Sequence, residues 1–158
     1  MIVRPTSSRL ISLVRKELAE SIAPALDDPR LKVNLQMIDA ILGGIAIRSD
    51  HEVAWILEEI AEIQAVGEAI AKGSGAGAAR VAEALAELRA RRSSSLHVND
   101  LLDDYDRAGE VLSRALEAAV PANSNTGGDL RKRVEALLDS RLEKAAAIRG
   151  DFKLVGRD

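Results

Sequence analysis

The sequence contains no cysteine, only three aromatic residues and only two histidines among its 158 residues. The absence of cysteine excludes disulfide bonds, zinc sites built on thiolates and a cysteine nucleophile. Basic residues are not in excess, because the formal net charge is −3, and this argues against a dedicated nucleic-acid-binding protein. No apolar run approaches the roughly 18 residues of a membrane span, and the first residues contain no apolar signal region. We therefore expect a cytoplasmic protein that binds neither nucleic acid nor membrane.

The sequence is rich in Ala, Leu, Glu and Arg, which are strong helix formers, and poor in the β-branched runs typical of strands. Apolar residues recur at the helical spacing of about 100° per residue in five or six segments. This pattern predicts an all-α fold, a helical bundle formed by a single domain over residues 1–158.

The first two helices have recognisable boundaries. The first is predicted to begin between Thr6 and Ser8, and it ends or kinks at Pro24, which has no N–H to donate. Asp28 followed by Pro29 is typical of the start of a second helix.

The second helix is unusually long if its pattern is taken at face value. The apolar residues of positions 31–45 and those of positions 53–70 fall on one stripe when they are projected on a helix. Ser49 and Asp50 could instead cap a separate helix, and the mean helix has only about 11–12 residues. We favour one helix over about 29–71, roughly 60 Å long. Shorter partners cannot cover its whole stripe, so we expect a second copy to cover the rest, in a homodimer.

Two segments rich in turn residues interrupt the remaining helices, near 72–77 and near 121–128. Two helices are predicted between these segments. The second has its apolar stripe at Val98, Leu101, Leu102, Tyr105, Ala108, Leu112, Leu116 and Ala119. Asp129 is predicted to cap the last helix, and residues 150–158 are interpreted as a tail. The alanines on these stripes predict closely spaced helices with little room for a large apolar pocket inside one chain. A sizeable ligand site is therefore expected between subunits or around Trp55.

An acidic segment holds the most concentrated candidate chemistry. Residues 49–71 include six carboxylates and no lysine or arginine, and His51, Trp55, Glu58 and Glu62 share one helical face. His51, Glu58 and Glu62 could hold a divalent metal, or the face could position an acid–base pair. The spacing matches neither His-Glu-x-x-His nor Glu-x-x-His. We favour a solvated acidic face with a tryptophan at an interface.

Three polar residues lie on or near apolar stripes, where a buried charge needs a partner. Glu52 and Ser49 lie beside the stripe of the long helix, and Arg48, four residues before Glu52, favours a structural ion pair. Arg141 interrupts the apolar face of the last helix, where its aliphatic stem could extend towards solvent. The candidate ligand-binding residues are Ser49, His51, Glu52, Trp55 and Arg141.

The N-terminal pattern is similar to that of a known family. Arg4-Pro5-Thr6, then Leu10, Val14 and Leu18, and then Pro24-Ala25-Leu26 resemble a small uncharacterised bacterial helical family. The terminal spacing of Leu130, Val134, Leu137 and Leu142 is similar too, whereas the middle of the chain departs from the family pattern. Family members are often encoded beside aminoglycoside-phosphotransferase-like kinases and acyl-CoA dehydrogenases. The resemblance implies an accessory role near an acyl-CoA or phosphotransfer enzyme, and it supplies no catalytic residues.

Candidate nucleophiles and bases are few, so the sequence favours a protein that is not an enzyme, and it indicates no cofactor. We expect a non-catalytic, homodimeric helical protein that binds a partner protein or a small ligand. The alternative is a small or metal-dependent enzyme built on His51, Glu52, Glu58 and Glu62.

Overall fold

The computed structural model describes residues 4–119 and 125–149, with side-chain environments for 4–118 and 131–149. Within these residues the chain forms five α-helices and no strand, which confirms the all-α prediction. The helices are α1 (Ser7–Glu17), α2 (Pro29–Ala71), α3 (Ala76–Ala90), α4 (Val98–Ala119) and α5 (Asn125–Arg149).

The beginning of α1 follows the sequence prediction, whereas its end comes at Glu17, before the predicted end or kink at Pro24. Thr6 has an extended backbone, and its carbonyl accepts the first helical hydrogen bond, from the N–H of Leu10, at 3.0 Å. The Thr6 hydroxyl is not a backbone cap, because it lies 3.0 Å from the hydroxyl of Ser8. Beyond α1 the chain widens into a π-helical turn and then tightens into a 3₁₀ turn that contains Pro24.

Helix α2 is one continuous helix of 43 residues, as the stripe predicts. Its start is fixed by Asp28, whose Oδ1 accepts the backbone N–H of Arg30 at 2.8 Å. Ser49 does not cap a new helix, since its hydroxyl donates to the carbonyl of Ile45 at 2.8 Å inside the same helix. At 1.5 Å per residue the helix is about 65 Å long.

The contacts divide the chain into two compact units. Unit 2, residues 53–141, contains every buried apolar side chain among the described residues: Ile56, Ile60, Ile63, Val66, Ile70, Ala78, Val81, Leu85, Leu88, Leu101, Ala108, Val111, Leu112, Ala115, Val134 and Leu137. These side chains come from α2, α3, α4 and α5, and all of them except Ala78 form one core cluster. The expectation of a single domain stays a prediction, because this division does not test it.

Unit 1 consists of residues 1–52 and 142–158, and its described part has no buried residue at all. It comprises α1, the turns that follow it, α2 up to Glu52 and the end of α5. Its apolar side chains are therefore half-buried or exposed.

Two sequence predictions need correction. Helix α5 begins at Asn125 rather than at Asp129, so the loop predicted for 121–128 is wrong for 125–128. The helix includes Asn125, Thr126 and both of the glycines that follow them. Residues 121–124 and the predicted tail 150–158 lie outside the described residues.

The predicted stripe of α4 is also displaced by part of a turn. Leu102 and Leu116 are exposed, whereas Asp104, Val111 and Ala115 are buried. Helix α4 therefore packs with a side that contains the carboxylate of Asp104, which is hydrogen-bonded to the backbone N–H of Ser93 and to Arg107.

Candidate functional site

The charged residues near the apolar stripe of α2 have partners within the helix. Arg48 forms an ion pair with Glu52 one turn away, which confirms the predicted structural pair. Ser49 is satisfied by the carbonyl of Ile45. These two candidates for ligand binding therefore use their polar groups in local structure.

Arg141 has a different role from the predicted extension into solvent. Its Nε donates a hydrogen bond to Oε1 of Glu59, and the two residues form an ion pair in unit 2. Its guanidinium carbon also lies 5.3 Å from the centre of the Tyr105 ring, within the range of a cation–π interaction. Arg141 therefore neutralises a carboxylate that is only 7% exposed.

Tyr105 completes this buried cluster from α4. Its hydroxyl donates a hydrogen bond to Oε1 of Glu59 at 2.8 Å. Burial, the hydrogen bond to Glu59 and the charge of Glu59, in that order, raise the pKa of Tyr105, and Arg141 lowers it, so that the pKa is about 12. Glu59, Tyr105 and Arg141 thus form a charge-balanced network that joins α2, α4 and α5.

A second buried carboxylate orders the connection between α3 and α4. Asp104 is 1% exposed, and its two oxygens lie 3.3 and 3.0 Å from the backbone nitrogen of Ser93, which donates to them. Arg107, one turn later, donates to Oδ1 of Asp104 at 2.8 Å. These contacts satisfy the buried charge and anchor the linker.

The predicted metal set finds no counterpart in the part of the chain that the structure describes. No group of three or more His, Cys, Asp or Glu residues there is placed to hold a metal ion. His51, Glu58 and Glu62 are exposed, and Trp55 is half-buried. The three predicted ligands therefore do not form such a group.

Unit 1 contains an open groove of about 1190 Å³. Its walls come from α1, from α2 between residues 33 and 51, and from the last residues of α5. Four cations line it, namely Arg9, Arg15, Lys16 and Arg149, against the carboxylates of Asp39 and Asp50. The expectation of little room for a large apolar pocket concerns closely packed helices, whereas the wall residues of this region form an open groove rather than a packed core. Of the predicted candidates, only His51 lines it.

The contact between α1 and α2 depends on one ion pair and one glycine. Arg15 makes two hydrogen bonds to Asp39, from Nε to Oδ1 at 2.7 Å and from Nη2 to Oδ2 at 2.9 Å. This pairing lowers the pKa of Asp39 and raises that of Arg15. A Cβ at Gly43 would lie 3.1 Å from Nη1 of Arg15, so the glycine gives the guanidinium room to reach Asp39.

The most extensive feature of unit 1 is its exposed apolar surface. Ten large apolar side chains there are between 43% and 61% exposed: Leu10, Leu13, Val14, Ile22, Leu31, Val33, Met37, Ile38, Ile41 and Ile45. Single exposed apolar residues are ordinary, but a concentration of this kind marks an interaction surface.

The exposed residues of α2 include a stripe on the side away from the groove. Leu31, Ile38 and Ile45 lie within about 40° of one line on the helix, at 100° per residue. The groove positions Ala40 and Ile47 are turned by about 160–180° from that line. The stripe and the groove are therefore separate surfaces of the same helix.

Comparisons with known proteins add no family to this description. No family model, no curated protein and no solved structure matches the chain. In the described part of the chain, no helix combines the length and apolar character needed to cross a membrane. The fold and surface define an all-α protein with one well-packed unit and one unit whose described residues include no buried side chain.

Proposed function

We propose that this protein is a non-catalytic helical interaction protein that acts as a homodimer through unit 1. The observation that supports the proposal is the absence of any buried residue in the described part of unit 1. Helices normally bury an apolar stripe against another element, and this unit leaves its stripe exposed. A second copy has the same apolar surface, so two copies can cover each other without another protein.

The energetics permit a stable dimer. Fully burying a Leu, Ile, Val or Met side chain contributes about 1.5–3 kcal/mol, so burying the exposed half contributes about 1 kcal/mol. Three of the ten, Leu13, Val33 and Met37, line the groove instead, so the other seven in each of two copies give at most about 14 kcal/mol. Association costs about 4–15 kcal/mol and a micromolar dimer needs a net gain of about 8 kcal/mol, so this surface suffices when the cost lies in the lower part of that range.

Light scattering coupled to size-exclusion chromatography tests the proposal. We expect a dimer for the wild type and a monomer for Ile38→Asp, because a carboxylate at that position would lose its water in the interface. Leu102→Asp is the matched control, since Leu102 is a similarly exposed apolar residue of unit 2. A monomeric wild type at micromolar concentration, or equal loss of dimer in both variants, would refute the proposal.

We propose as a second candidate function that the groove of unit 1 binds a small anionic ligand. Its four cations against two carboxylates favour an anion, in a chain that is negative overall. A thermal-shift screen with small carboxylates and phosphates tests this, with Arg9→Ser/Lys16→Ser expected to abolish any stabilisation. Lys132→Ser, on an exposed part of α5, is the control. The absence of stabilisation by every anion in the wild type would contradict it.

An accessory role beside an acyl-CoA or phosphotransfer enzyme is supported by the family resemblance alone. Co-purification of such an enzyme with the tagged wild-type protein, and its loss with Ile38→Asp, would place that partner on unit 1. The alternative of a small or metal-dependent enzyme on His51, Glu52, Glu58 and Glu62 stays a prediction from the sequence.

A further inference from the structure

The stripe of α2 follows a heptad pattern along the whole helix. Its positions alternate in steps of four and three residues: Leu31, Leu35, Ile38, Leu42, Ile45, Ser49, Glu52, Ile56, Glu59, Ile63, Val66 and Ile70. This spacing is typical of a helix that packs side by side with another helix over its full length. The two polar positions in the middle divide the stripe into two apolar parts.

The two parts differ in how they are covered. Ile56, Ile63, Val66 and Ile70 are at most 9% exposed, because α3, α4 and α5 pack in the same core cluster. In the first part, Leu31, Ile38 and Ile45 are 44–47% exposed. The same helix face that is fully covered between 56 and 70 is thus open between 31 and 45.

We propose that residues 31–45 of α2 pair antiparallel with the same residues of a second copy, with the two helices crossing at Ile38. This inference rests on the proposed homodimer and specifies its contact. The partner that covers this surface is the same helix of a second copy. The later part of the α2 stripe already packs against helices, and no charged residue lies at stripe positions 31–45.

The antiparallel direction follows from what is already covered. In a parallel pair, each position of the stripe faces its own copy, so residues 56–70 would also have to face the partner. Those residues are buried by their own chain. An antiparallel pair centred on Ile38 uses only the uncovered part and leaves the core of unit 2 intact.

The register also fits the ends of the uncovered stripe. With Ile38 at the centre, Leu31 faces the partner's Ile45, and Leu35 lies within one residue, about 1.5 Å along the axis, of the level of the partner's Leu42. The partner's helix begins at Pro29, which falls opposite residue 47. The overlap therefore ends before Ser49 and Glu52, the two polar positions in the middle of the stripe.

Cross-linking of single-cysteine variants tests this geometry, because the natural chain has no cysteine to interfere. A short bis-maleimide is added to Ile38→Cys, Leu31→Cys, Ile45→Cys and Gln36→Cys, and the products are separated on a denaturing gel. Paired helices lie about 8–10 Å apart, whereas two copies of position 31 would be about 21 Å apart along the antiparallel pair. Circular dichroism and light scattering verify that each variant is helical and dimeric.

We expect Ile38→Cys to shift to the dimer band by itself. Leu31→Cys and Ile45→Cys should shift only when they are mixed, and Gln36→Cys, on the groove side, should stay monomeric on the gel. A shift of Leu31→Cys alone, or no shift of Ile38→Cys in a protein that scatters as a dimer, would overturn the antiparallel stripe and leave the homodimer standing. A wild type that scatters as a monomer would overturn both.

Discussion

Glu59 and Arg141 form an ion pair across 82 residues of sequence. Glu59 is buried on α2, and Arg141 on α5 also stacks near the ring of Tyr105 on α4. A buried carboxylate without a cation would be costly, so this pair fixes which side of α5 faces the core of unit 2.

Removing Arg141 alone should destabilise the protein strongly. In Arg141→Met the carboxylate of Glu59 keeps only the Tyr105 hydroxyl as a partner, and we expect the free energy of unfolding to fall by about 3 kcal/mol. In the double variant Glu59→Met/Arg141→Met no charge is stranded, and most of this loss should be recovered. Urea denaturation measures both. Additive losses in the double variant would show that the two charges do not interact.

Tyr105 should titrate well above an ordinary tyrosine. Burial holds its pKa at about 12, so the neutral phenol stabilises the fold fully below about pH 10, and this contribution is lost as the pH rises from 10 to 12. The chain has one tyrosine, so the phenolate absorbance reports this group alone.

The control for Tyr105 is the same titration in denaturant, where its pKa should return to about 10. Glu59→Gln should lower the pKa of Tyr105 in the folded protein, but not as far as 10, because burial, the main cause of the raised pKa, remains. A folded protein with an ordinary tyrosine pKa would contradict the buried position of the hydroxyl.

Alanine at Gly67 and at Gly109 should change stability in opposite directions. A Cβ at Gly67 would lie 2.7 Å from Cγ1 of Val111 and 3.2 Å from Cδ2 of Leu85, and we expect Gly67→Ala to destabilise by about 1–2 kcal/mol. A Cβ at Gly109 meets no atom within 4 Å, so Gly109→Ala gains helix propensity, up to about 1 kcal/mol. Thermal melting of both variants distinguishes them. Stabilisation by Gly67→Ala would mean that α2 does not approach α3 and α4 so closely.

Loss of the Asp39 charge should weaken unit 1 only above acidic pH. The hydrogen bond from Arg15 lowers the pKa of Asp39, so the pair stabilises the fold above about pH 4 and this contribution is lost as the pH falls through the lowered value. Both side chains are about two-fifths exposed, so the effect should be below about 1 kcal/mol.

The measurement compares the free energies of unfolding of wild type and Asp39→Asn across this pH range. The two should differ at neutral pH and converge in acid. Asp27→Asn, an exposed carboxylate just before α2, should show no such convergence. A difference that persists unchanged below the lowered pKa would exclude the ion pair as its cause.

The long helix could be predicted because its evidence is local. Every stripe position from Leu31 to Ile70 keeps the same phase, and a break at Ser49 would have disturbed it. The pair of Arg48 and Glu52 was predictable for the same reason, since it spans one turn. The start of α5 was not, because Asn and Gly occur both in turns and at helix ends.

The network of Glu59, Tyr105 and Arg141 in unit 2 could not be predicted from the sequence. Glu59 lies between Ile56 and Ile63 on the buried stripe, which is the one signal that could have singled it out among six carboxylates. Its partners come from α4 and α5, 46 and 82 residues away, and sequence spacing does not specify pairings at that range. The uncovered first half of the α2 stripe is at least as apolar as the covered second half, which contains Glu59, so composition does not show which half is covered.

Helix α2 has a further consequence for hydrogen exchange. It is one element by its backbone hydrogen bonds, but amides near Ile63 exchange only when the core of unit 2 opens, whereas those near Ile38 need only a local opening. Protection should therefore rise along a single helix from its first turns to its last. Association of a second copy at higher protein concentration should slow amide exchange in the first half of α2 alone. Exchange in the second half then reports the folding of the chain, and exchange in the first half reports dimerisation.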